Sequence, residues 1–149
     1  MISKETLFDR IQCLLNEQHF SVLATQGSEY PYCTLVAYAA SSDCKAIIFA
    51  TIRDTRKYKN LTKKPNVSLL IDNQTNQVHD FKDARALTVL GSAHTIENTD
   101  GPDYRALYLK KHPYLREFVT APNCSLIRVR VLKYILVTNF QNVLEYTVL

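Results

Sequence analysis

The chain has 149 residues, 46% of them hydrophobic, and a formal net charge of +4. That length suits one domain, residues 1–149, with a real core, and no apolar run approaches the ~18 residues a membrane span needs. The charge excess is local: positions 53–64 hold six of the eighteen basic residues and one of the fourteen acids, which argues against the broad basic stripe of a nucleic-acid binder and for one compact anion.

The start, MISKETLFDRIQ, is amphipathic and unlike a signal peptide. Ser3 is placed to cap a first helix, and Leu7, Phe8, Ile11, Leu14 and Leu15 recur at helical spacing. This helix is expected to end near Gln18. Three strand-like runs follow: residues 19–26, broken at Gly27-Ser28; residues 32–40, broken at Ser41-Ser42-Asp43; and residues 45–51. Their short connections predict an antiparallel meander.

The basic segment comes next. Thr55 is placed to cap a short helix that stops before Pro65. Residues 66–72 read as a buried fourth strand, 73–83 as a polar loop, and 84–97 as a fifth strand with Gly91 at a bulge or close approach. A second helical zone is expected from Thr99, with Pro102 in its first turn, running to Pro113. A short helix or turn, YLREFV, follows. The chain closes with strands 124–140 and 142–149. In the first of them Ile127, Val129 and Val131 alternate with Arg128, Arg130 and Leu132. Six or seven mostly antiparallel strands with three or four peripheral helices predict a mostly β (α+β) fold, a closed or partly closed barrel.

Several chemistries lack their signatures. There is no G-x-S-x-G elbow. Cys13, Cys33, Cys44 and Cys124 form no C-x-x-C pair and read as reduced thiols of a cytoplasmic protein. His19, His79, His94 and His112 have no i, i+4 spacing for a metal. With only three glycines, neither a Walker loop nor a dinucleotide fingerprint can be built.

Any phosphate must then be held by side chains and a helix start; the alternative is that all six basic residues of 53–64 only solvate a surface helix. Arg56 and Lys57 occupy the first helical positions after Thr55, where free N–H groups and the macrodipole favour an anion and disfavour cations. An anion at that point removes the conflict. Lys59, Lys63 and Lys64 need no ligand, because a solvated helix end accounts for them. Tyr58 and Leu61 are spaced to anchor the helix.

The segment FATIRDTRKYKNLTKKPNVSLL, Phe49 to Leu70, resembles the flavin-binding segment of the pyridoxamine 5′-phosphate oxidase-like family of FMN-binding split barrels. VLATQGSEYPYCTLVAYAA resembles that family's first hairpin, and LTVLGSA its later strand. The resemblance implies an antiparallel six- to seven-stranded split β-barrel. It implies that Arg56 and Lys57 bind the FMN phosphate with Thr55 at the same turn, and that Ala50 and Thr51 lie along the ribityl chain or ring. Thr34, Leu35, Val36 and Ala37 then present backbone groups to the ring.

In the oxidases a Gln before the later strand also touches the flavin; this chain has Ala86 there. The family often completes its flavin site with a second subunit, which implies a homodimer. True pyridoxamine phosphate oxidases end in an arginine-rich segment closing R-L-x-P. This chain reads VTNFQNVLEYTVL instead, so pyridoxal phosphate synthesis is not expected. Asn139 and Phe140 either border the active site or form a strand-end turn.

The leading expectation is an FMN-dependent oxidoreductase acting on a small molecule, without nucleic acid or membrane. The alternative is a non-catalytic flavin or haem carrier or sensor on the same barrel, with His79 or His94 as an axial ligand.

Overall fold

A computed structural model of the chain describes residues 4–97 and 102–149; the expected Ser3 cap and Thr99 helix start lie outside them. Helix α1 (Lys4–Glu17) precedes strands β1 (Phe20–Gln26), β2 (Pro31–Ala40) and β3 (Ala46–Ile52). Helix α2 (Arg56–Lys63), β4 (Asn66–Asp72), α3 (Asp80–Asp83) and β5 (Arg85–Thr95) follow. Helices α4 (Tyr104–Lys111) and α5 (Arg116–Thr120) flank a 3₁₀ turn at Pro113–Leu115 and lead to β6 (Cys124–Thr138) and β7 (Asn142–Thr147).

The strands lie in the order β3-β2-β1-β4-β5-β6-β7, and β3 also pairs with β6. That pairing closes six antiparallel strands into a barrel, with β7 as an extra strand on β6. Period-2 burial explains the wall: Leu23, Val36, Tyr38, Ile47, Phe49, Val67, Leu69, Ile71, Leu87 and Val89 all turn inward and form one core. β6 changes phase midway. Ile127, Val129 and Val131 are buried, then Tyr134 and Leu136, because Leu132 is the extra residue of a bulge between the Leu90↔Lys133 and Gly91↔Val131 pairs. Gly91 is required there, since a Cβ would stand 2.5 Å from the Arg130 carbonyl oxygen and 2.7 Å from Val129 Cγ1.

Two helices close the barrel ends. Leu7, Ile11, Leu14 and Leu15 of α1 join the core at the end where β1 begins. The α1 carbonyl of Leu15 accepts from the Tyr38 hydroxyl at 2.7 Å and from Lys111 Nζ at 3.0 Å, which satisfies an orphan of the helix C-terminus. At the other end α2 buries Leu61, with Tyr58 packed against the same core. Asn60 Nδ2 of α2 donates to Thr25 Oγ1 at 3.0 Å.

A second core lies outside the barrel. Ala39, Ala46, Ile48 and Ala50, on the outer face of β2 and β3, are covered by Tyr108, Leu109 and Val119 of α4 and α5. β3 is therefore buried on both faces.

Three expectations need correction. Pro102 precedes α4 rather than opening it; Asp103 caps the helix, its side chain accepting from the Ala106 N–H at 3.0 Å. The stretch 73–83 is not all loop: Asp80 accepts from the Thr75 and Gln77 N–H groups and folds back a turn that becomes α3. Five α-helices therefore stand among the described residues, where three or four were expected.

Candidate functional site

Two seams of the barrel wall carry short ladders, β1–β4 and β2–β3, with three pairs each. The β2–β3 ladder consists of Ala40↔Ile47, Ala39↔Ile48 and Tyr38↔Phe49. The same register, continued, sets Ala37 opposite Ala50, Val36 opposite Thr51 and Leu35 opposite Ile52, but those pairs are not made. β3 keeps all seven pairs to β6 on its other edge. The wall is thus split from Ala37 and Ala50 outward, and strand alternation decides what faces the opening. The Tyr38 N–H bonds the His19 carbonyl of the chain leading into β1, so even-numbered residues of β2 serve β1 and odd-numbered ones turn to the split. Leu35 and Cys33 direct their backbone groups there. Ile52 of β3 does the same.

The split opens at the barrel end where α2 begins. Thr55 takes the N-cap position with extended backbone, and its Oγ1 accepts weakly from the Tyr58 N–H at 3.4 Å. Thr55 Oγ1 donates to the Ile52 carbonyl at 2.8 Å and lies 3.1 Å from Thr51 Oγ1. Thr51 is 1% exposed. The two hydroxyls are thus spent on shaping the turn, and the groups left for an anion are the Arg56 and Lys57 side chains and the first N–H groups of α2. Arg56 lies over the Tyr32 ring, its Cζ 5.1 Å from the centroid. That contact tethers the guanidinium beside the mouth of the split. No acidic residue occupies the first turn of α2.

The structure separates the basic cluster by job. Arg53 is a clamp, not a ligand group: Nη2 donates to the Pro122 carbonyl at 2.6 Å, and Nη1 reaches the Cys124 carbonyl and Ser125 Oγ. Lys59 pairs with Asp54 at 3.2 Å on the surface. Lys63 and Lys64 are exposed at the far end of the helix. Only Arg56 and Lys57 flank the helix start.

Of the other expected residues, Val36 points into the core and offers only backbone that β1 already uses. Thr34 is half-buried, and Leu35 is 66% exposed. The Ala37 carbonyl accepts from the Tyr108 hydroxyl at 3.0 Å, and Ala50 lies buried under α4. Asn139 and Phe140 form the β6–β7 turn, both at positive φ, and Phe140 packs on Phe81 at 5.1 Å. That turn and the segment 73–83 sit at the α1 end of the barrel, away from α2. The segment between β5 and β6 leaves from the α2 end, against the split.

Sequence reasoning missed three contributors: Tyr32, Arg53 and Tyr108. Their partners lie on other elements, so no spacing signals them. Two ionisable groups of α4 and its C-cap sit against Leu15 and Tyr38, at the α1 end of the barrel. Burial brings the Lys111 amine down to about 8, although it lies over the Tyr38 ring at 4.1 Å. Burial also holds the His112 imidazole below its ordinary value, and Nε2 bonds the Tyr38 carbonyl at 2.6 Å, which fits a neutral ring with the proton on Nε2. Among the described residues no three His, Cys, Asp or Glu side chains converge as a metal site, and no helix is long and apolar enough to cross a membrane.

No curated protein is matched by the sequence. Solved structures share the fold at low identity. A heme binding protein from Mycobacterium smegmatis is 18% identical with a TM-score of 0.84, over 99% of this chain and 59% of that one. A FAD-binding protein from Mesorhizobium loti is 16% identical with a TM-score of 0.70, over 85% and 89%. A putative pyridoxamine 5′-phosphate oxidase from Listeria innocua is 14% identical with a TM-score of 0.68, over 93% and 98%. The family model described as pyridoxamine 5′-phosphate oxidase matches residues 7–138. That match takes in the split, α2 and nearly all of the barrel, and the chain belongs to the pyridoxamine 5′-phosphate oxidase-like family.

Proposed function

We propose that the chain binds FMN and works as an oxidoreductase on a small molecule. One observation carries this reading: an unpaired strand edge, Leu35 of β2, opens beside a helix start that bears Arg56 and Lys57 and no acid. A flavin mononucleotide has the matching parts, a flat ring with a hydrogen-bonding edge and a terminal phosphate dianion. The donor set fits the group. Arg56 supplies a planar fork and Lys57 a point charge, and the two cations sit where the macrodipole disfavours them unless an anion is present. Thr51 and Thr55 hold the turn, and Leu35 meets the ring edge through its backbone.

When bound, the flavin supplies hydride or single-electron transfer. The protein's residues hold the phosphate, orient the ring and shield one face; no side-chain acid or base is assigned. Phe20, Leu35 and Leu70 leave 60%, 66% and 40% of their surfaces exposed on the outer face of β1, β2 and β4, and Leu35, Val22 and Leu70 lie in one row across the three strands. A second copy of the chain is the proposed cover for that row, next to the open edge.

The test is the visible spectrum of the purified protein before and after addition of FMN, followed by reduction with NADH or NADPH. Bound flavin that is reduced supports the oxidoreductase. Bound flavin that neither donor reduces leaves a carrier. Protein that takes up no FMN contradicts the proposal.

The second reading, haem binding, draws on the similarity to the Mycobacterium smegmatis protein and on two exposed imidazoles. His79 and His94 each engage Nε2 with a hydroxyl, of Thr75 at 3.1 Å and Ser92 at 2.7 Å, leaving Nδ1 for an iron. A Soret band after addition of haemin is its signature.

A further inference from the structure

The β2–β3 ladder does not fray at an arbitrary place; it stops where another element intrudes. After the Tyr38↔Phe49 pair the next residues in register are Ala37 and Ala50. Both would turn their backbone groups into the space between the strands, because alternate residues of an antiparallel ladder do so and Ala39↔Ile48 is the preceding pair of that kind. Instead, the Tyr108 hydroxyl donates to the Ala37 carbonyl at 3.0 Å. The Ala50 backbone N–H acts on the same oxygen and partly offsets the burial that raises its pKa. The phenolic group thus takes the donor's place opposite Ala37, with the Ala50 N–H acting on it from the other strand.

The surroundings fit this role. Tyr108 comes from α4, which lies on the outer face of the two strands, and it is 1% exposed. The ring needs room above the seam, and the chain supplies alanine at positions 37, 39 and 50. A phenol buried this deeply requires a partner for its O–H, and the Ala37 carbonyl provides it. Beyond the intrusion, Leu35 and Ile52 are the next residues in register. Their N–H groups have no bond across the seam.

We infer that Tyr108 is a wedge that keeps β2 and β3 apart and so sets the inner limit of the ring site. It is a positioning residue, acting through the strands. The wedge stands on the backbone geometry alone; its purpose rests on the flavin reading above.

The test is Tyr108→Phe in the full chain, read by amide hydrogen exchange and by FMN titration. Phenylalanine keeps the ring and removes the hydroxyl. Without it, Ala37 and Ala50 pair directly and the ladder runs on to Leu35 and Ile52. The Leu35 and Ile52 amides are expected to exchange roughly tenfold more slowly, and FMN affinity to fall by roughly tenfold, the scale of one hydrogen bond gained or lost. Unchanged exchange at Leu35 and Ile52 in a folded variant overturns the wedge. Slower exchange with unchanged FMN affinity keeps the wedge and overturns its purpose.

Wild-type protein that takes up no FMN refutes the flavin reading, and the exchange arm still judges the wedge. Should Tyr108→Phe fail to fold, the wild type decides the matter. The wedge requires Ala50 protected and Leu35 and Ile52 open without ligand; equal protection of all three contradicts it.

Discussion

Strand β3 has two edges with opposite fates. On the β6 side all seven residues are paired, from Ala46↔Arg130 to Ile52↔Cys124. On the β2 side pairing ends at Phe49. The strand's sequence, AIIFATI, is apolar but for Thr51 and gives no sign of this asymmetry. The difference comes from what lies beside each edge. β6 runs beside β3 to its end, whereas β2 is held off by a tyrosine from a helix outside the barrel. A strand buried on both faces can keep one edge for the fold and leave the other for a ligand.

The largest expected effect is at the open edge. Arg56→Ala with Lys57→Ala removes two charge-assisted contacts to the phosphate, each worth about 1.5–3 kcal/mol. FMN affinity should fall by about a hundredfold or more, measured by quenching of flavin fluorescence, while circular dichroism stays unchanged. Full FMN affinity in the double variant removes the phosphate assignment.

The closed side should respond in stability. Gly91→Ala places a methyl 2.5 Å from the Arg130 carbonyl oxygen at the bulge; overpacking of this kind costs about 1–3 kcal/mol. Denaturant unfolding should show that loss, with FMN affinity of the folded protein little changed. If affinity drops as much as in the double variant, the two edges are not separable.

A smaller effect concerns pH. Burial lowers the His112 pKa in the folded chain, so below the ordinary value of about 6.5 the unfolded chain binds the proton more readily. The His112 contribution to stability should therefore be fully present above pH of about 6.5 and be lost as pH falls below it. His112→Gln should flatten that decline in thermal melts between about pH 7 and 5; an unaltered slope assigns it to other groups. Last, Lys59→Ala removes a surface ion pair with Asp54, worth at most about 1 kcal/mol. Both stability and FMN affinity should barely move. A large loss of FMN binding would bring Lys59 into the phosphate site.

Much of the fold is legible in the sequence because its strands are apolar-rich runs bounded by turn residues. The runs 19–26, 32–40, 45–51 and 66–72 match β1 to β4 within a residue or so. Gly91 marks the bulge because a glycine inside a strand signals close approach. The helix start at Thr55 is legible because its cap is local. What stays hidden depends on distant partners. The pairing of β3 with β6 brings Ala46 to Arg130; Arg53 is taken up by residues 122–125; Tyr108 reaches Ala37 from an element between β5 and β6. Pro102 misled because Asp103, next to it, is the stronger cap.

The helix start at Thr55, Arg56 and Lys57 is proposed to recognise the phosphate of a flavin whose ring lies at the open edge of β2. Titration of the wild-type protein with FMN and with riboflavin, which share the ring and differ in the phosphate, tests it most directly. FMN is expected to bind about a hundredfold more tightly or better, the scale of two charge-assisted hydrogen bonds. Equal affinity for the two flavins, or no affinity for either, contradicts it.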